Sequence, residues 1–423
     1  MTANGSNWPV GQHTHRILMQ SGRLIGMGCL LASLALPWQS AHAGAREQAQ
    51  RMHERLTGVR PSAGVLETMA LEIQGGNAQQ AAYTAMDDRA FYDVTLKNFA
   101  APWTNEAQSS FVPLNDYTAT VIGVVRDERD FRTILYDDIL YVGDGALNLP
   151  PYAIDNNDHY RELEAGGYSL QDHLDATTQS SRNGLPSTAT AGVMTSRAAA
   201  QAFFSAGTNR AMFRFTLMNH LCNDLEQVND VTRPPDRIRQ DVSRSPGGDS
   251  RVFLNNCVGC HSGMDPLAQA FAYYDFEYDA DNDPDGNLGR LVYNTVGATD
   301  PDTGTRVQGK YLINAANFEP GYITRDDRWD NYWRAGPNRR LGWDSAQNPE
   351  GGGYGAKSMG QELAHSDAFA ECQAKKVFRT VCLRDPVDGA DRSQIATMVS
   401  NLRASGFKLK RSFADSAVYC MGD

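Results

Sequence analysis

The chain has 423 residues, of which 41% are hydrophobic and 21% are charged, a composition typical of a folded protein. Its formal net charge is −11, which argues against nucleic acid as a partner because phosphate binding requires a basic surface. The length exceeds that of one ordinary core, so we expect two domains.

Residues 1–43 have the pattern of a secretory signal peptide. Arg16 and Arg23 precede an apolar stretch at 24–36, and Ala41-His42-Ala43 follows as a small-x-small cleavage site. A short membrane anchor and lipidation at Cys29 are the alternatives. No later apolar run approaches the roughly 18 residues of a membrane span. We therefore expect a periplasmic or secreted protein without a membrane span in the mature chain.

Hydrophobic periodicity predicts helices over most of the remaining sequence. Helical patterns lie at about 45–99, 196–228, 359–383 and 393–402, whereas the apolar residues at 118–142 fit a strand or a helix equally well. Turn residues at 233–236 and 245–249 indicate a linker. We predict a mainly helical domain of unknown role at 44–235. A second helical domain follows at 236–423, with a long polar insertion at about 279–355.

Four cysteines remain once the signal peptide and a Cys-x-x-Cys motif are set aside: Cys222, Cys372, Cys382 and Cys420. Cys372 and Cys382 lie ten residues apart in one predicted helix, roughly 15 Å apart along its axis, too far to bond each other. We expect each to pair with Cys222 or Cys420, since exported proteins form disulfides. Free buried thiols are the alternative.

The motif Cys257-Val258-Gly259-Cys260-His261 is the attachment sequence of a c-type haem. At this composition it arises by chance roughly 0.0025 times in the chain. The two thiols are spaced to add to two vinyl groups of one porphyrin, and the adjacent histidine binds the iron. A redox dithiol lacks its βαβ context here, and a zinc site lacks two further ligands at short spacing. The sequence therefore predicts one covalent haem c held by Cys257, Cys260 and His261.

The sixth iron ligand is less well defined. Met359, which we place in a loop before the C-terminal helix, is the preferred candidate because a thioether there reaches over the distal face. Its alternative role is that of a core residue. His365 and His220 are weaker candidates, Met264 lies too close to His261 to reach the far side, and an open site is the remaining option.

Two further patterns carry less weight. Residues 281–286 (DNDPDG) match the first half of a calcium loop, but Val292 stands where the bidentate acid belongs. A solvated acidic turn is the favoured interpretation, with calcium as the alternative.

The aromatic residues of the insertion indicate a half-buried surface, with sugar stacking or a haem edge as alternatives: Tyr322, Trp329, Tyr332, Trp333 and Trp343.

The segment 241–276 resembles the Planctomycete-type cytochrome c family. The resemblance rests on the Pro246–Asp249 turn, the attachment motif and Met264-Asp265-Pro266. Residues 360–382 look like the helix that closes the haem domain of that family, and 209–222 like the helical region before it. Together these segments cover about half of the mature chain. The resemblance implies a cytochrome c-like all-α haem domain and periplasmic electron transfer, with no established substrate.

Three functions are compatible with these patterns. A mono-haem electron carrier with a redox partner protein ranks first. A haem enzyme with an open distal site, peroxidase-like or oxidase-like, ranks second. A binding module ranks third, in which residues 44–235 bind a partner or a polymer and the haem only connects that domain electronically. No catalytic residue is predicted, since no nucleophile elbow accompanies the Ser, His and Asp residues.

Overall fold

Helices dominate the computed structural model, which describes residues 43–422. The predicted signal peptide lies outside this range, apart from Ala43. The helices preceding the attachment motif are α1 (Ala45–Thr57), α2 (Ala63–Gln74), α3 (Ala78–Met86), α4 (Lys97–Ala100), α5 (Asp116–Arg126), α6 (Asp158–Ala165), α7 (Gln179–Asn183), α8 (Arg197–Phe203) and α9 (Arg210–Leu221). The remaining helices are α10 (Ser250–Val252), which leads into the motif, α11 (Val258–Ala268), which contains most of it, and then α12 (Gly355–Ala364), α13 (Asp367–Cys382), α14 (Gly389–Ala404) and α15 (Leu409–Cys420). The prediction of a mainly α fold is confirmed.

Three short antiparallel strand pairs accompany the helices of the described structure. They pair β1 (Leu140–Gly143) with β2 (Leu174–Thr177), β3 (Tyr274–Glu277) with β4 (Arg290–Tyr293), and β5 (Arg328–Asp330) with β6 (Gly352–Tyr354). The ambiguous segment at 118–142 thus contains both a helix and a strand. The spacing of its apolar residues does not distinguish a helix from a strand, because α5 is buried on every side from Asp116 to Val125.

The two ends of the described chain pack together. Helices α1 and α3 contact α15, and α1 also contacts α13. Phe413 of α15 lies edge-on to Phe91 and Phe99, with ring centroids 5.1 Å and 5.5 Å away. The hydrophobic core is therefore continuous across residue 235, where the sequence suggested a domain boundary.

The predicted linker is itself packed into the structure. Ile238 is fully buried, and Arg237 and Arg239 are almost so. The Arg237 guanidinium donates hydrogen bonds to the side chains of Asp330 and Gln269. Residues 233–248 thus fold against the insertion and α11 rather than separating two independent bodies.

The polar insertion also contributes to the core. Trp329 and Trp333 are fully buried, so the expectation of a half-buried aromatic surface is wrong for these two, whereas Tyr322, Tyr332 and Trp343 are half-buried. The buried carboxylate of Glu362 on α12 fixes the insertion, accepting hydrogen bonds from Asn331, Arg334 and Asn348.

Both expected disulfides are present. Cys222 pairs with Cys372 and Cys382 with Cys420, with Cα–Cα distances of 5.2 Å and 5.5 Å. Cys372 and Cys382 share α13 and are not joined to each other, as the helical spacing predicted. Among the described residues, no helix combines the length and apolarity needed to cross a membrane.

Candidate haem-attachment site

The attachment motif begins inside a continuous but irregular helical segment. The Asp249 side chain caps α10 by accepting a hydrogen bond from the backbone N–H of Arg251. A π-helical turn follows at Phe253–Cys257, in which the N–H of Val258 reaches the Phe253 carbonyl five residues back. The extra residue in this turn separates Cys257 from the regular helix α11, which carries the rest of the motif. Such π turns recur at functional sites.

Both motif thiols are free and partly accessible. Cys257 and Cys260 form no disulfide, whereas Cys222, Cys372, Cys382 and Cys420 are all paired. The Cys260 sulfur lies 3.5 Å from the Asn229 amide nitrogen and 3.6 Å from the Leu225 carbonyl oxygen. Burial is the main reason that the pKa of Cys260 is raised, which keeps this group a thiol.

The imidazole of His261 is held on one side only. Its Nδ1 lies 3.0 Å from Oδ1 of Asp265, one helical turn further along α11. A proton on Nδ1 is then donated to the carboxylate, leaving the lone pair of Nε2 free to bind a metal. The His261 side chain is 21% exposed, so it is not enclosed by the core.

Asp265 is a fully buried carboxylate with charged partners. Arg210 at the start of α9 donates to both of its oxygens, over 2.7 Å and 2.9 Å, and also binds Asp241. Burial alone raises the pKa of Asp265, but the charge of Arg210 and the hydrogen bonds from Arg210 and His261 outweigh burial and hold the pKa well below its usual range. The acceptor of the His261 proton is therefore an ionised carboxylate.

The opposite side of α11 is packed tightly against the rest of the protein. Two residues after His261, Gly263 lies directly against the Trp333 indole, which leaves no room for a Cβ atom. Gly259, inside the motif, is similarly close to the Asn229 side chain. These two glycines let α11 approach its neighbours closely and so fix the direction in which His261 projects.

The residues present fit a covalent porphyrin. Cys257 and His261 lie four residues apart, about one helical turn, and Leu254 precedes them in the π-helical turn. Leu254 is 56% exposed and Val252 is 37% exposed, so an accessible apolar surface adjoins the free thiols. Thioether bonds would form at the two sulfurs, which make only long contacts with the protein. An iron bond would form at Nε2 of His261, because Nδ1 is the atom that contacts Asp265.

Met359 does not lie in a loop, contrary to the sequence expectation. It belongs to α12 and is fully buried in the hydrophobic core. Two glycines flank it within this helix: Gly355 begins α12 with a φ of 72°, and Gly360 allows the Leu135 carbonyl to approach. Ligation of iron by Met359 stays a prediction.

The other candidate ligands have partners of their own. His365 ends α12, with its Nδ1 2.8 Å from the Gln361 carbonyl oxygen. His220 is buried, with its Nε2 2.8 Å from the Tyr117 hydroxyl, and burial is the main reason that its pKa is well below the usual value. Met264 is buried in α11.

The calcium-like loop belongs to the β3–β4 hairpin and is anchored by a cation of the protein itself. The guanidinium of Arg197 donates to the carbonyl oxygens of Gly286, Asn287 and Gly289, over 2.6–3.1 Å. Within residues 43–422 no group of three or more His, Cys, Asp or Glu side chains is arranged to hold a metal ion. Calcium binding stays untested, and the acidic side chains form an exposed turn.

Comparison with family models, curated proteins and solved structures gives no match. The resemblance to the Planctomycete-type cytochrome c family therefore rests on the motifs quoted above and stays a prediction. Sequence reasoning missed the role of Asp265 and Arg210, although both fall within the segments that resemble the family. The i, i+4 spacing of His261 and Asp265 was a visible signal, but Arg210 joins the site only through the tertiary fold.

Proposed function

We propose that this protein is an exported mono-haem c-type cytochrome that transfers single electrons to and from a redox partner protein. The observation that carries the proposal is the state of its cysteines. Four of the six described cysteines are bridged, while the two of the attachment motif are free and lie in the same helical segment as a partly exposed imidazole.

Each residue of the site has a distinct role in this proposal. Cys257 and Cys260 form the thioether bonds, and His261 supplies Nε2 as the proximal ligand. The haem contributes an iron that alternates between the ferric and ferrous states, a change of one electron. The packed side of α11, at Gly259 and Gly263, holds the proximal ligand still during that change. Met359 is kept as the proposed distal ligand.

The remaining features support export and a protein partner. Two disulfides suit the periplasm or the exterior, where thiols are oxidised. Two apolar side chains that precede Cys257 in the chain, Val252 and Leu254, are exposed and would be available to contact a partner. The chain is acidic overall, so we expect a partner with a basic docking surface.

A haem enzyme with an open distal site is the second candidate. Two observations favour it over a simple carrier: Met359 is enclosed in α12, and His261 is paired with a buried carboxylate. A charged partner of the proximal imidazole favours the ferric state, and an iron without a sixth protein ligand binds small oxidants.

Visible spectroscopy of the purified protein separates the two candidates. A carrier should show low-spin spectra in both oxidation states, a weak far-red sulfur-to-iron band when oxidised, and no reaction with carbon monoxide when reduced. A high-spin ferric spectrum with immediate carbon monoxide binding would replace the carrier with the open-site enzyme. A bis-histidine spectrum would keep the carrier and move the distal ligand to His365.

A further inference from the structure

The proximal imidazole is connected to a buried charge network that spans three parts of the chain. Nδ1 of His261 lies 3.0 Å from Asp265, and the Asp265 side chain has no exposed surface. Arg210 connects Asp265 to Asp241, which belongs to the packed segment before α10. Water is therefore excluded from the carboxylate that faces the proximal histidine.

The network fixes which atom carries the proton. Arg210 donates two parallel hydrogen bonds to Asp265, and the backbone N–H of Arg239 lies 3.4 Å from Oδ2. All three contacts require Asp265 to act as an acceptor. Nδ1 of His261 is then the donor in the fourth contact, and the imidazole gains electron density from the carboxylate.

We propose that Asp265 is a positioning residue that makes His261 a more basic iron ligand and thereby lowers the midpoint potential of the haem. The inference rests on the proposed function, since it requires iron at Nε2. Reduction adds one electron from the partner to the iron, with no bond broken and no proton taken up. A fixed negative charge behind the ligand stabilises the ferric form more than the ferrous form, because the ferric form carries one more positive charge.

The test compares two substitutions that each remove one carboxylate charge from Arg210. Asp265→Asn keeps an oxygen that accepts the Nδ1 proton but removes the negative charge. Asp241→Asn is the matched control, because Asp241 binds the same arginine but has no hydrogen bond to His261. Spectroelectrochemical titration should show that Asp265→Asn shifts the equilibrium toward the ferrous form about tenfold more than the control, or 59 mV for one electron.

A second measurement needs no substitution. The reduced protein, or its carbon monoxide adduct if the distal site is open, is low-spin and diamagnetic, so nitrogen-15 NMR can observe the His261 ring. We expect a protected Nδ1–H whose nitrogen signal is displaced toward that of an imidazolate. The control variant should leave this signal in place.

The outcomes separate this inference from the function on which it rests. Absence of covalent haem from the unmutated protein would refute the proposed function itself. Covalent haem with equal potential shifts in the two variants would overturn the role of Asp265 alone. If Asp265→Asn does not fold, the NMR signal decides: an Nδ1 shift of an ordinary neutral imidazole contradicts the inference.

Discussion

The two disulfides should stabilise the protein to different extents. In the chain-entropy account, a bridge removes freedom from the unfolded chain in proportion to the logarithm of the loop that it closes. Cys222–Cys372 spans 150 residues and Cys382–Cys420 spans 38. At 25 °C these spans give about 5 and about 4 kcal/mol.

The perturbation is the replacement of both cysteines of one bridge by alanine. Substitution in pairs leaves no orphan thiol to exchange with Cys257 or Cys260. The two double variants also match in packing, because each removes one buried sulfur and one more accessible sulfur: Cys372 and Cys382 are buried, Cys222 and Cys420 less so.

Urea unfolding followed by circular dichroism measures the free energy of unfolding of each variant. We expect both to be destabilised, and Cys222→Ala/Cys372→Ala by about 1 kcal/mol more than Cys382→Ala/Cys420→Ala. Losses below about 1 kcal/mol for both pairs, or a larger loss for the shorter loop, would refute the reasoning from loop length.

Three further substitutions test the packing of the core. Glu362→Ala should cost about 3–5 kcal/mol of unfolding free energy, because it leaves Arg334 without its buried partner; Glu371→Ala, on the exposed face of α13, is the control and should change it by less than about 0.5 kcal/mol. Burial lowers the pKa of Lys376 to about 7, so Lys376→Met should stabilise the protein most below pH 7, where the folded state holds a poorly solvated charge. That advantage should fade between about pH 7 and pH 10, because in this range the folded side chain has lost its proton while the unfolded one keeps it up to about pH 10.4; unfolding curves with the same advantage at every pH would contradict it. Met359→Ala should cost about 2–5 kcal/mol because the thioether fills the core, and ligation of iron by this residue requires that the oxidised variant also lose the far-red band.

Local patterns predicted several of the helices, though not α15, and they excluded one disulfide pairing without deciding between the other two. The helical pattern at about 45–99 agrees with α2, because one face of that helix is exposed. The spacing of Cys372 and Cys382 excluded a bond between them without any tertiary information. The attachment motif itself is a local pattern, and the helical segment that leads into it is capped by Asp249.

Tertiary contacts explain what the sequence did not reveal. Helix α5 is buried all round, so it has no polar face to set a period. Met359 was expected in a loop, but it lies in α12, where the neighbouring Gly360 admits the Leu135 carbonyl. Trp333 lies in a polar stretch, yet it is buried because Gly263 accommodates its indole. The charge on Asp265 depends on Arg210, 55 residues earlier in the chain.

The central claim is that haem is bonded covalently to Cys257 and Cys260. Mass spectrometry of the denatured, purified protein measures this directly, and we expect one haem retained per chain. Cys257→Ala/Cys260→Ala should lose the haem, whereas Cys382→Ala/Cys420→Ala, which also removes two cysteines, should keep it. Release of the haem from the unmutated protein by acid extraction, or a chain mass without haem, would contradict the account.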